Sequence, residues 1–471
     1  MSENLSSAAV RARLSHPVID ADGHIIEFMP AVRDHLVEVG GRELAEEFDA
    51  VLAAPAQLDA LSEEERRAMG LFKLTWWAYP ARNSLDRATG MLPGLLYERL
   101  DEFGLDYAVL YPTVGLTAMS LVHQTDLRRA SVRAFNRCAA EMFEPYSDRL
   151  APVAMIPMYE PGEAIDELEY CVNELGLKAT LLNGLVYRPL GDDLPQGARW
   201  VDAFGAESPY DYDPVWAKCV ELGVAPTFHS SSMGWGSRIS QRNYVHNHIG
   251  NFAQAGEATC RSLFMHGVPN RFPEIRMAFL EGGGGWACNL YSDLIGHLEK
   301  RGPVGVREYD PDAMDRELVR QLFDSHGSER FKKHLDELEA GLAVFSRSGD
   351  FVDDFATTGV SSAEDVRDVF HRNFRFGCEA DDPMNALAFD TRINPLGAKI
   401  RAIFSSDIGH WDVPDMADVL EEAWELVDRE LLTEADFREF TFSNAATMWA
   451  EANPRFFEGT VVEKAVAELV G

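Results

Sequence analysis

Two kinds of apolar pattern alternate along the chain. Short runs that are apolar almost throughout lie near PVID (17–20), YAVLYP (107–112), PVAMIP (152–157), KATLLN (178–183), VAPTFH (224–229), IRMAFL (275–280), RNFRFG (372–377) and RAIFSS (401–406). Continuous runs of this kind predict parallel strands buried on both faces, not half-exposed strands of an antiparallel sheet. Between them, apolar positions recur every three or four residues. In PGEAIDELEYCVNELG, Ile165, Leu168, Cys171, Val172 and Leu175 share one helical stripe, with Pro161 as a start signal and Gly176 as a stop. DPVWAKCVELG repeats the design, with Asp213 as cap, Pro214 in the first turn and Gly223 at the end. Eight such strands in series predict an α/β fold, a closed (β/α)8 TIM barrel.

Two intervals exceed a simple crossover. Residues 31–100 are helical and acidic and carry the aromatic patch WWAYP (76–80), and residues 298–371 are charged and mostly helical. Both are expected to be mainly helical insertions on a single domain spanning 1–471, since a barrel with insertions exceeds about 400 residues. The formal charge of −34 argues against nucleic acid and anionic membranes as partners. No apolar run approaches the roughly 20 residues of a membrane span. The N-terminal sequence has no apolar core of a secretion signal, and the six scattered cysteines form no Cys-x-x-Cys pair. A cytoplasmic protein is expected, without a disulfide framework or a zinc ribbon.

The candidate chemistry lies at strand ends. VIDADGHIIE (18–27) closes a strand with Asp22-Gly23-His24. Side chains two apart on a strand point the same way, so both can reach one ion, and Gly23 leaves room for close approach. Glu27 is a third possible ligand. His229 ends VAPTFH, Glu281 ends IRMAFLE before four glycines, and Asp407 ends RAIFSSD ahead of Ile-Gly-His410-Trp-Asp412. All three would face the C-terminal mouth of the barrel, where barrel enzymes place their sites. Asp407 can bind a metal and take a proton, and His410 is open as ligand, supporting group or substrate contact. His246, His248 and His266 are expected to be structural, His326 and His334 to be solvated, and Glu379, Asp381 and Asp382 to be loop acids, with Glu379 in reach of the barrel mouth as the alternative.

Taken in order, VIDADGHIIE, LYERLDEFGLDYAVLYPT (96–113), FHSSS (228–232), GVPNRFPEIRMAFLEGGGGW (267–286) and FSSDIGHWD (404–412) resemble the amidohydrolase superfamily. The resemblance is to its amidohydrolase-related branch, which includes aminocarboxymuconate semialdehyde decarboxylase and the benzoate-type decarboxylases. It implies that His24, His229 and Asp407 are metal ligands and that Asp22 stands where a first histidine, or a glutamate, is usual. Glu281 stands where many members have a histidine. The carboxylated lysine that bridges two metals in some members has no clear counterpart. The implied cofactor is one or two divalent metal ions. Carboxylate-rich donors favour iron over a histidine-rich zinc site, with manganese or zinc as alternatives.

Three functions are compatible with these residues. The first is a dinuclear iron (or iron–manganese) monooxygenase, similar to a few members such as diterpenoid hydroxylases of the platensimycin type. It would hydroxylate an unactivated C–H bond of a small or terpenoid carboxylic acid with dioxygen as partner, and it is the leading expectation. The second is a mononuclear metal-dependent decarboxylase or hydrolase, with Asp407 moving the proton. The third is a non-catalytic partner subunit. A homo-oligomer (a dimer) or a hetero-oligomer with a related subunit is expected.

Overall fold

The computed structural model describes residues 5–73, 81–191, 199–205, 207–343 and 352–471. Eight parallel strands follow one another in chain order around one sheet. They are β1 (Ile19–Ile25), β2 (Tyr107–Pro112), β3 (Leu150–Ile156), β4 (Ala179–Leu182), β5 (Pro226–Phe228), β6 (Met277–Phe279), β7 (Phe374–Glu379) and β8 (Ala402–Ser405). Each apolar run of the sequence contains or overlaps one strand. A small antiparallel ribbon, Val186–Pro189 with Arg199–Asp202, follows β4. The fold is a (β/α)8 barrel.

The continuous apolar character of the runs is explained by burial on both sides. All six residues of β2 are buried: Ala108 and Leu110 join one hydrophobic cluster, Tyr107, Val109 and Tyr111 the other. The Tyr111 hydroxyl crosses the barrel to donate to Thr227 Oγ1 at 3.0 Å. Outside, Leu168 and Cys171 of the helix Pro161–Glu169 and the turn after it are fully buried, as their stripe predicts. The helix Asp213–Leu222 ends at Gly223 in the left-handed region, but Asp213 is its first residue and not its cap.

Closure positions the chemistry. The segment after β8 runs beside β1: Asp407 N–H donates to the Asp22 carbonyl at 3.0 Å and His24 N–H to the Ile408 carbonyl at 2.8 Å. Beneath them the buried Asp20 carboxylate accepts from Ser406 N–H (2.9 Å), Ser406 Oγ–H (2.6 Å) and Asp22 N–H (3.2 Å). Residues almost 400 positions apart in sequence are thereby locked side by side.

The interval between β1 and β2 holds the helices Met29–Asp59, Glu63–Ala68, Ser84–Thr89 and Pro93–Phe103, the first broken at Gly41. The aromatic stretch 76–80 lies outside the described residues. Helices also fill the interval between β6 and β7, including Arg316–His326. Among the described residues, no helix is long and apolar enough to cross a membrane.

Candidate metal centre

Of the polar side chains at this site, all but Asp22, which lies midway along β1, stand at or beyond the C-terminal end of a strand. Asp22 and His24 project from β1, His229 follows β5 directly, and Glu281 and Asp407 come two residues after β6 and β8. The backbone turns sharply at the last two. Glu281 has φ +53° and Asp407 φ +52°, in the left-handed region that residues with a Cβ seldom occupy. Such local strain concentrates at functional sites, because surrounding contacts must hold it in place.

Two overlapping groups result. One ligand atom each from Asp22, His24 and His229 lies within 4.8 Å of the others, and so do those of His24, Glu281, Asp407 and His410. His24 belongs to both. Its Nε2 is 3.4 Å from Asp22 Oδ1 and 3.5 Å from Asp407 Oδ1. Its ring stacks on His410 with centroids 3.7 Å apart and meets His229 edge-on at 5.1 Å. His229 Nε2 approaches Glu281 Oε2 to 2.6 Å, and His410 Nδ1 approaches Asp407 Oδ1 to 2.6 Å.

Both oxygens of Asp22 and Asp407, Oε2 of Glu281 and Nε2 of His24 and His229 are buried without a hydrogen-bond partner among the described residues. Neither the close His229–Glu281 contact nor the His410–Asp407 contact is aligned as a hydrogen bond. Burial first, and neighbouring carboxylates after it, hold Glu281 and Asp407 well above the usual carboxylate range. Asp22 is raised in the same way, though His229 opposes the shift. Burial likewise holds His24 and His410 well below the usual histidine value and lowers His229. A cation resolves both problems at once: it takes the orphaned lone pairs and offsets the crowded carboxylates. The donors are imidazole and carboxylate with no thiolate, a set suited to a divalent metal of intermediate hardness. The cluster therefore fits a divalent metal ion.

Glu27 is placed differently from expectation. The chain leaves β1 at Ile25, and the Glu27 side chain turns to the start of the helix Val114–Leu121. Its Oε2 accepts from Thr113 N–H (3.1 Å) and Val114 N–H (2.9 Å), and its Oε1 from Gly115 N–H (2.8 Å). A carboxylate satisfying three helix-terminal donors is absent from both ligand groups. It instead fixes Thr113, whose Oγ1 lies 3.3 Å from His410 Nε2. Glu27→Gln replaces one acceptor oxygen by an N–H2 facing donors. The expected result is about 1–3 kcal/mol of lost stability, faster amide exchange at 113–115 and unchanged metal stoichiometry. Loss of the bound metal would return Glu27 to the ligand set.

Two further groups, Glu379 and His248, are by sequence a loop acid within reach of the mouth and a structural histidine. Glu379, at the end of β7, is pushed up to about 8 by burial and then by Glu281 and Asp412. Its position at a strand end was the available signal. His248 forms part of an aromatic wall, with ring centroids 5.6 Å from Phe252, 5.5 Å from Trp411 and 5.0 Å from Tyr244. Phe252 in turn packs edge-on against His229 at 4.8 Å.

Residues 19–331 match the family described as Amidohydrolase. A gamma-resorcylate decarboxylase of Rhizobium sp. is 29% identical over 137 residues, 28% of this chain and 36% of that protein. Another, from Rhodococcus jostii, is 23% identical over 230 residues, 44% of this chain and 66% of that protein. The matches thus span between about a third and two thirds of these relatives' own length. An amidohydrolase from Mycobacterium avium subsp. paratuberculosis shares the fold, with a TM-score of 0.52 at 18% identity over 93% of this chain and 100% of that one. These decarboxylase relatives overturn the expectation of an oxygen-activating dinuclear iron monooxygenase, and with it the assignment as an iron oxidoreductase. The carboxylates that suggested iron are equally good donors for other divalent ions.

Proposed function

Because the chain belongs to the amidohydrolase family, we propose that it is a metal-dependent enzyme that removes the carboxyl group of a small carboxylic acid without oxidation. The observation that carries this reading is the set of orphaned, buried carboxylate and imidazole atoms converging at the barrel mouth. The gamma-resorcylate decarboxylase relatives supply the reaction class. Asp22, His24, His229 and Asp407 would hold one divalent ion, manganese or zinc, with Glu281 as a further donor. When bound, the ion supplies a Lewis acid that polarises oxygens of the substrate. The barrel and the intervals 31–100 and 298–371 would act as one domain.

Loss of carbon dioxide leaves an electron pair on carbon, and a proton must be delivered there. Asp407 and His410, 2.6 Å apart, are the pair that holds and passes that proton. Thr113 Oγ1 on the far ring nitrogen fixes the orientation of the imidazole. Phe252 packs edge-on against His229, and His248, Trp411 and Tyr244 continue that aromatic wall, which would suit a planar substrate and help exclude water.

The test is anaerobic incubation of manganese- and zinc-loaded protein with gamma-resorcylate and a panel of aromatic and unsaturated carboxylic acids in heavy water. Carbon dioxide should appear, with one deuterium at the vacated carbon and no need for oxygen. If no acid in the panel releases carbon dioxide, the decarboxylase assignment fails.

A further inference from the structure

The N-terminal end of the barrel, opposite the metal centre, gathers arginines in a chain of net charge −34. Arg276 and Arg401 directly precede β6 and β8, and Arg375 is the second residue of β7. Phe376 of β7 stands beside Ala402 of β8, which sets Arg375 level with Arg401. Met277 of β6 stands beside Phe374, which brings Arg276 to the same end.

Arg375 is fully buried, and its charge is incompletely met. Its Nε donates to the Asn444 carbonyl (3.3 Å), and its Nη1 to the carbonyls of Phe374 (3.1 Å), His371 (3.4 Å) and Arg372 (3.4 Å). Its Nη2 has no hydrogen-bond partner among the described residues, and Glu451 Oε2 stands 3.8 Å away. That carboxylate already accepts from Arg276 Nε at 2.6 Å. Two other acids of this neighbourhood are engaged elsewhere, Glu439 by Lys399 and Asp368 by Arg367, both at 2.8 Å. The His371 ring nitrogens lie 3.2 and 3.1 Å from Arg401 Nη2. Burial, then Arg401 and Arg375, push His371 down to about 4, so it is neutral at neutral pH. Three guanidinium groups therefore share one carboxylate. A buried charge is costly unless paired and hydrogen-bonded, and a guanidinium is best matched by the oxygens of an oxyanion.

We propose that this end of the barrel binds a small oxyanion of the phosphate class, held between Arg276 and Arg401 with Arg375 Nη2 behind them. In the free protein the Glu451 carboxylate fills that place. Its side chain is 36% exposed, so it can swing into solvent when the ligand arrives. Arg276 spends Nη1 on the Pro273 and Ile275 carbonyls and Nε on Glu451, which leaves Nη2 for the ligand. Phosphate brings more negative charge than one carboxylate and more acceptor oxygens, for donors that come from three strands. The site lies on the face of the barrel away from the catalytic mouth, so the proposal is independent of the reaction at the metal centre.

The test is titration calorimetry of the full, metal-loaded chain with inorganic phosphate at neutral pH, in chloride buffer of constant ionic strength. Binding should saturate at one phosphate per chain. Arg401→Gln and Arg276→Gln should each weaken it about tenfold or more, the loss of a charge-assisted hydrogen bond. Unchanged metal content in both variants shows the barrel intact. Glu451→Gln removes the competing carboxylate and should tighten phosphate binding. Its melting temperature should fall in chloride and recover when phosphate is added. No saturable binding to the wild-type chain overturns the proposal, whatever Glu451→Gln does, because Glu451 is then the resident anion. Phosphate binding that both arginine variants leave unchanged overturns it too. So does binding that vanishes when the metal is removed, since the phosphate then sits at the metal centre.

Discussion

Asp407→Asn is expected to give a folded protein that turns over about 10²–10⁴-fold more slowly, the range lost when a positioned proton-transfer group is removed. The fold should survive because Asn has the same shape and, like Asp, tolerates the left-handed backbone that position 407 adopts at φ +52°. Asp407 N–H to the Asp22 carbonyl, which helps close the barrel, is untouched by the change. What disappears is the anionic oxygen 2.6 Å from His410 Nδ1, the atom that the proposed reaction assigns to both metal and proton.

The metal-free protein supplies an independent readout. There Asp407 is held well above the usual carboxylate range by burial and then by Glu281 and Asp412, so its charge opposes folding. The sign follows: a carboxyl whose folded value is raised contributes instability that grows as pH climbs from its unfolded value toward the folded one. Asp407→Asn should therefore leave the melting temperature of metal-free protein at neutral pH unchanged or higher. The rise in melting temperature on adding manganese or zinc should shrink. Turnover within tenfold of wild type would remove Asp407 from the reaction.

The strand ends were legible in sequence because a buried parallel strand advertises itself as a continuous apolar run. A polar residue at the end of such a run, as with His229, Glu281 and Asp407, is conspicuous. The side-by-side placement of Asp22 and Asp407 depends on closure, carried by Asp20, Ser406 and two backbone hydrogen bonds across the whole chain length. No local pattern encodes it. Glu27 shows the converse failure. Nearness in sequence to Asp22 and His24 suggested a third ligand, whereas three backbone donors at the start of another helix claim its carboxylate. The placements of His248 and Thr113 were not legible for the same reason: their partners, Trp411 and His410, come from the loop after the last strand. Donor type alone did not decide the chemistry either, since carboxylates bind several divalent ions and serve several reactions.

Gly23→Ala is expected to damage fold and site together. A Cβ at position 23 would lie 2.6 Å from Asp20 Oδ2, 3.1 Å from Leu110 Cδ2 and 3.2 Å from Ile408 Cγ1. The first distance is shorter than any real carbon–oxygen contact of this kind, so something must move. Asp20 cannot swing aside freely, because its carboxylate accepts from Ser406 N–H, Ser406 Oγ–H and Asp22 N–H in a fully buried place. The two Ser406 bonds tie β1 to the end of β8, and burial has already pushed the Asp20 carboxyl up to about 6. Overpacking of about 1–3 kcal/mol therefore comes with hydrogen-bond losses of similar size, and urea unfolding should show a total loss of about 2–5 kcal/mol. Asp22 and His24 flank the substitution on the same strand, so manganese affinity should fall about 10–100-fold, as when groups that orient metal ligands are disturbed. The double variant Asp20→Ala with Gly23→Ala isolates the cause. If the clash with Asp20 is responsible, adding Gly23→Ala to Asp20→Ala should cost much less than adding it to wild type. Equal costs in both backgrounds would move the origin of the effect to Leu110 and Ile408, and wild-type stability and affinity in Gly23→Ala would refute the packing argument altogether.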